Sequence, residues 1–188
     1  MGASMLFWII PIVLVVIILW FIAAYNRFVV LRNRIQGSWA QVDVQLKKRY
    51  DLVPNLVETV KGYAKHEREV FENVTKARAN AIGAQSVGDQ GQAENMLSGA
   101  LKSLFAVAEA YPELKANENF LKLQEELASL ESKIAYARQH YNDVVLAFNT
   151  QRQRFPDNIV AGVMGLTAAE YFEIEEAARE APKVDFGA

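Results

Sequence analysis

The sequence predicts an all-α protein: a single N-terminal transmembrane helix, then an antiparallel four-helix-type bundle with a short C-terminal helix. Three features carry that expectation. Met5 to Ala24 is a 20-residue run without a charge, MLFWIIPIVLVVIILWFIAA. Residues 25–188 behind it are rich in Ala, Leu, Glu, Lys, Gln and Arg, which cost a helix least. Apolar side chains in that part recur at steps of three and four, and no segment alternates with the period of two that a strand needs.

The anchor, residues 5–24, is read from its length. At about 1.5 Å per residue such a helix spans roughly 30 Å, the thickness of a bilayer's hydrocarbon core. A cleaved signal peptide wants a basic start and a shorter apolar stretch, which this run lacks. Pro11 falls in the first turns, where a missing N–H costs little or produces a modest kink. Trp8, Trp20 and Tyr25 lie near the two ends, as interfacial aromatics do. No Lys or Arg precedes the run, whereas Arg27, Arg32 and Arg34 follow it and Lys47, Lys48 and Arg49 extend the bias. The positive-inside rule then places the N-terminus outside and the helical domain, residues 25–188, in the cytoplasm.

Phe28, Leu31, Ile35, Trp39, Val42 and Leu46 continue a helix out of the membrane, as one rod if Gly37 does not break it. Asp51 is suited to cap a second helix with Pro54 in its first turn and Leu56, Val60, Tyr63, Phe71, Val74 and Ala81 as its stripe. Gly83 to Gly91, GAQSVGDQG, reads as a long connector. A third helix is expected from Ala93 to Ala110, with Met96, Leu97, Leu101, Leu104, Phe105 and Ala108 inward and Pro112 ending it. The fourth has the cleanest pattern: Phe120, Leu123, Leu127, Leu130, Ile134, Ala137, Tyr141, Val144 and Phe148 form a heptad seam, with Asn117 or Asn119 as cap and Pro156 as stop. Thr167 and Glu170 are spaced as a capping box for the short C-terminal helix, which Tyr171 and Phe172 would dock.

Composition then removes function classes. The chain has no Cys and two His, so thiolate metal sites, Cys nucleophiles and disulfide scaffolds are excluded and multi-His metal sites nearly so. A net charge of −2 provides no clustered basic excess for nucleic acid.

WAQVDVQLKKRYDLVPNLVETVKGYAKHE from Trp39, FNTQRQRFPDNIVA from Phe148 and YFEIEEAAREAPKVDF from Tyr171 resemble, in this order, the LemA family of bacterial membrane-anchored helical proteins. The resemblance implies a four-helix-bundle-type fold behind one membrane helix at the bacterial inner membrane. It brings no catalytic residues to carry over, and Ala84 to Leu97 bears no family signature.

The residues give no sharper chemistry. His66-Glu67 begins a zincin-like string, but the second ligand position is Val70. The Glu-x-x-His pairs of di-iron bundles are missing, since Tyr63 and Ala137 stand three residues before His66 and His140. The serines lack Gly-x-Ser-x-Gly and Ser-x-x-Lys contexts. No cofactor and no metal are therefore expected.

Charge is instead segregated, with six bases and one acid (+5) from Tyr25 to Tyr50, and seven acids and two bases (−5) from Asp157 onward. One reading treats this as topology signal, lipid attraction and solvated surface. The other makes Lys47, Lys48 and Arg49, with Glu173, Glu175, Glu176 and Glu180, a candidate interaction surface within or between chains. The expected function is a non-enzymatic scaffold or adaptor that self-associates at the bilayer and meets other membrane or cytoplasmic proteins. The alternative is a membrane-tethered sensor of a ligand or lipid state.

Overall fold

The computed structural model describes residues 2–173, with side chains from residue 8, and every regular element in that range is a helix. These are α1 (Gly2–Tyr63), α2 (Arg68–Gly83), α3 (Val87–Glu109), α4 (Pro112–Lys115), α5 (Glu118–Gln153) and α6 (Asp157–Val163).

α1 is one helix from the apolar run through Gly37 and on through Pro54, so the expected start of a second helix at Asp51 is corrected. Pro54 has no N–H, which leaves the Tyr50 carbonyl without its intrahelical donor. Arg78 of α2 supplies the missing bond, its Nε donating to the Tyr50 oxygen at 2.7 Å. The chain turns instead between Ala64 and Glu67, where the Glu67 N–H donates to the Ala64 carbonyl at 3.2 Å.

The connector expected at Gly83 to Gly91 contracts to residues 84–86, because Ser86 is an N-cap whose hydroxyl accepts from the Asp89 N–H at 3.0 Å. α3 thus begins six residues before Ala93. Its inward row contains Leu97, Leu101, Leu104 and Ala108 as read, but Met96 is 56% exposed and Glu94 is inside in its place. A Cβ on Gly91 would overlap the Glu173 carbonyl, so the missing side chain is what lets the backbone of that segment approach α3.

Pro112 opens α4 rather than simply ending α3. Asn117 caps α5, its Oδ1 accepting from the Phe120 N–H at 3.0 Å. The seam of α5 is buried at Phe120, Leu127, Leu130, Ile134, Ala137, Tyr141 and Phe148, with Val145 fully inside where the heptad count points to Val144. That slip of one position is the drift of a 3.6-residue turn against a 3.5-residue repeat. α6 ends in a Schellman turn, with Gly165 at φ +62° and the Leu166 N–H bonded to the Ala161 carbonyl at 3.0 Å.

No helix starts at Thr167: residues 167–173 are irregular, which corrects the capping-box reading. Side chains of α5 hold this backbone instead. Asn149 accepts from the Ala169 N–H and donates to its carbonyl, both at 2.9 Å, and the Tyr141 hydroxyl donates to the Glu170 carbonyl at 3.0 Å. Phe172 is fully buried while Tyr171 stays 37% exposed. The remainder of the expected C-terminal helix lies outside the described residues.

Two units are distinguishable among the described residues: α1 up to Asp43 with Tyr136–Glu170, and Val44–Ala135 with residues 171–173. In the first, Ala24, Phe28, Phe148, Val160 and Ala161 form a core, with the Phe28 and Phe148 rings edge to face at 6.2 Å. In the second, Leu46, Val53, Leu56 and Val60 of α1 are buried, as are Val74, Leu97, Leu104 and Leu114. α1 and α5 run antiparallel in each unit: Phe28 meets Phe148 and Trp39 meets Tyr141 in one, and Arg49 meets Glu131 and Tyr63 meets Asn117 in the other.

Candidate functional site

Lipid is the first candidate contact. One helix among the described residues, α1, is long and apolar enough to cross a membrane, and its apolar stretch is almost wholly uncovered by the rest of the chain. Trp8 is 67% exposed, Val13 49% and Leu19 60%, so side chains point outward on all faces of the helix. Trp20 is half-buried, Tyr25 is exposed, and Arg32 and Arg34 are exposed beyond it. Arg27 pairs with the buried Asp157 at 3.3 Å.

The second candidate is a polar cluster buried in the unit that begins at Val44. Arg49 lies inside, at 1% exposure, although it adjoins the exposed Lys47 and Lys48. Its position explains this: Val42, Leu46, Arg49, Val53 and Leu56 follow one another by four, three, four and three, so Arg49 occupies an apolar row of α1. Its guanidinium donates through Nη1 to Glu94 at 2.8 Å, and through Nη2 to Ser98 at 2.8 Å and Glu131 at 2.9 Å. The other Glu94 oxygen accepts from the Tyr50 hydroxyl and from Gln90 Nε2, at 3.2 Å for the latter. Gln90 also donates to the Tyr50 oxygen at 2.7 Å and to the Ala81 carbonyl at 3.1 Å. α1, α2, α3 and α5 are thus joined through one network.

Burial pushes the Glu94 carboxyl above its usual range; the Tyr50 hydroxyl, Arg49 and Gln90 offset part of that. The Tyr50 phenol is raised well above 10.0, first by burial and then by its bond to Glu94 and the charge of that carboxyl. Tyr141 is raised by burial and by Glu170. A cavity of about 430 Å³ adjoins the cluster, with Arg49, Ser98, Lys102, Gln124 and Glu131 as its polar lining and Leu101, Phe105 and Leu127 among its apolar walls. Arg49 Nε has no hydrogen-bond partner.

Of the charged residues singled out by sequence, Lys47, Lys48 and Glu173 are exposed, and Arg49 is bonded to Glu94 and Glu131 rather than offered at the surface. Glu175, Glu176 and Glu180 lie outside the described residues. Glu94, Tyr50 and Gln90 were not signalled as a group by any motif. The available signal was their polarity on apolar rows, Gln90, Glu94, Leu97 and Leu101 being spaced by four, three and four on α3. His66, in the turn before α2, and His140, on α5, are both exposed. Among the described residues no three of His, Asp and Glu are grouped to hold a metal ion.

The sequence model of the LemA family matches residues 38–186. The chain belongs to the LemA family. Relatives of this LemA-family chain include the magnetosome protein MamQ 2 of Paramagnetospirillum magneticum, 26% identical over 184 residues that cover 84% of this chain and 67% of that protein. Magnetosome protein MamQ of Magnetospirillum gryphiswaldense is 23% identical over the same shares. Protein LemA of Metamycoplasma hominis is 24% identical over 184 residues, 95% of this chain and 83% of that protein.

Proposed function

We propose that this LemA-family chain is a non-enzymatic, single-pass membrane scaffold or adaptor at the bacterial inner membrane. Its N-terminus is outside, and its helices form a self-associating antiparallel four-helix-type bundle in the cytoplasm. The observation that carries the reading is the bare apolar surface of α1 from Trp8 to Leu19. In water it would be an aggregation site, whereas in hydrocarbon a helix with every backbone group satisfied internally is what the solvent demands.

The buried ionisable groups favour a structural role over a reactive one. Arg49, Glu94, Tyr50, Gln90, Ser98 and Glu131 bond chiefly to one another, tying helices together. None of the relatives' names states a reaction. Lys47 and Lys48, with Glu173, Glu175, Glu176 and Glu180, are the surface we assign to self-association or to other membrane and cytoplasmic proteins.

Crosslinking the full-length chain in native membranes tests this, with protease added from each side. Covalent oligomers and digestion from the cytoplasmic side alone are expected; a monomer that enriches no partner, or extraction of the chain by alkaline wash, would overturn it. Reversing the four glutamates to lysine should weaken assembly most at low salt, where exposed charges are least screened. The cavity beside Arg49 favours the second reading, a ligand sensor, which a reproducible small-molecule rise in melting temperature would support.

A further inference from the structure

We infer that α6 and the turn before it form an interfacial segment whose outward side chains Phe155, Ile159 and Val163 enter the lipid at the boundary between acyl chains and headgroups. The inference rests on α1 being the membrane anchor. α6 lies against the last turns of the uncharged run: Val160 and Ala161 are buried with Ala24 and Phe28, and Trp20 and Phe21 pack on the same core. Whatever depth Ala24 has in the bilayer, α6 shares it to within about one helix width, roughly 10 Å.

The opposite side of this segment is oily. Ile159 is 53% exposed and Val163 71%, four residues apart on α6, where a helix facing water would place polar groups, and Phe155, in the turn just before α6, is 77% exposed. Asn158 is exposed beside them on this short helix, and burial of such an apolar face with a polar flank in the interface is how amphipathic segments bind membranes. α6 is also held in place. The Asp157 carboxylate at its first position pairs with Arg27 at 3.3 Å and accepts from Gln151, and the Schellman turn at Gly165 fixes its end. Arg27, itself 57% exposed, and the exposed Arg154 stand beside it with the sign that attracts anionic headgroups.

The chain has no Cys, so single spin labels can be placed on the full-length protein without removing any. Phe155→Cys, Ile159→Cys and Val163→Cys are labelled and reconstituted in vesicles of phosphatidylcholine with phosphatidylglycerol, beside Val15→Cys in the span and Glu125→Cys on the exposed side of α5. Relaxation by dioxygen, which concentrates in lipid, is compared with relaxation by a water-soluble nickel chelate. Labels at 155, 159 and 163 are expected to shift toward dioxygen, between the values at 15 and 125. If they match 125 while 15 stays in lipid, the inference fails and the anchor stands. If 15 is also aqueous, the anchor reading fails and takes the inference with it. Labels shielded from both reagents until the protein is diluted in lipid would mean that a second copy covers the face, which also overturns it.

Discussion

Arg49 and Glu94 are both shut away from water, at 1% and 0% exposure of their side chains, and are paired at 2.8 Å. Removing one partner of such a pair leaves an uncompensated charge inside, at a cost of about 3–5 kcal/mol. Glu94→Gln should fall at the low end of that range, about 3 kcal/mol, because Glu131 still reaches Arg49. Replacing both, as Arg49→Met with Glu94→Leu, should recover much of the loss; urea unfolding of the full-length chain in detergent measures both.

Tyr50 adds a pH dependence whose sign follows from its raised pKa. The folded chain keeps the phenolic proton where the unfolded chain gives it up, so this stability is complete below pH 10.0 and declines as pH climbs above it. Tyr50→Phe should flatten that alkaline decline in a series of melting curves, Tyr141 leaving a smaller one. None of this was visible in the run Lys47-Lys48-Arg49, where three adjacent charges read alike. Position along the apolar row separates Arg49 from its neighbours, and only the facing helices reveal what an inward arginine bonds to.

Helices and their seams were legible because their periods are written in single residues. The row from Phe120 to Phe148, apart from the step at Val144, and a cap at Asn117 or Asn119 follow from local spacing, whereas spacing left open whether Gly37 breaks the rod, which the structure shows it does not. Boundaries failed where a tertiary partner replaced a local one, as Arg78 does at Pro54 and Asn149 at Ala169, and at Gly83 to Gly91, where the local Ser86 cap outweighed the glycines. Two glycines of α3 make this testable. Gly99 has nothing within 4 Å of an added Cβ, so Gly99→Ala should stabilise the protein by about 0.5–1 kcal/mol through helix propensity alone. Gly91→Ala gains the same propensity but drives a methyl into the Glu173 carbonyl, and should cost about 1–3 kcal/mol instead. Opposite signs for two identical substitutions in one helix, read by denaturant midpoint, would verify that contact.

At the scale of the molecule, a helix long and apolar enough to cross a membrane is a matter of composition alone, which is why α1 is the part of this chain most plainly read from its letters, and the orientation we propose rests on the arginines that follow it. Arg27→Glu, Arg32→Glu and Arg34→Glu together should invert a fraction of the chains, scored by the side from which added protease digests the helical domain. Exposed charges such as Lys47 and Lys48 are not legible in this way, since they take their meaning from whatever approaches them. The bond from Arg78 to the Tyr50 carbonyl reaches 28 residues forward in the sequence. While the ribosome is still extending the chain, the rung opposite Pro54 therefore stays open to water until α2 has emerged. The longest helix of this protein finishes closing only after its successor has been made, so growth from the N-terminus does not complete it in order.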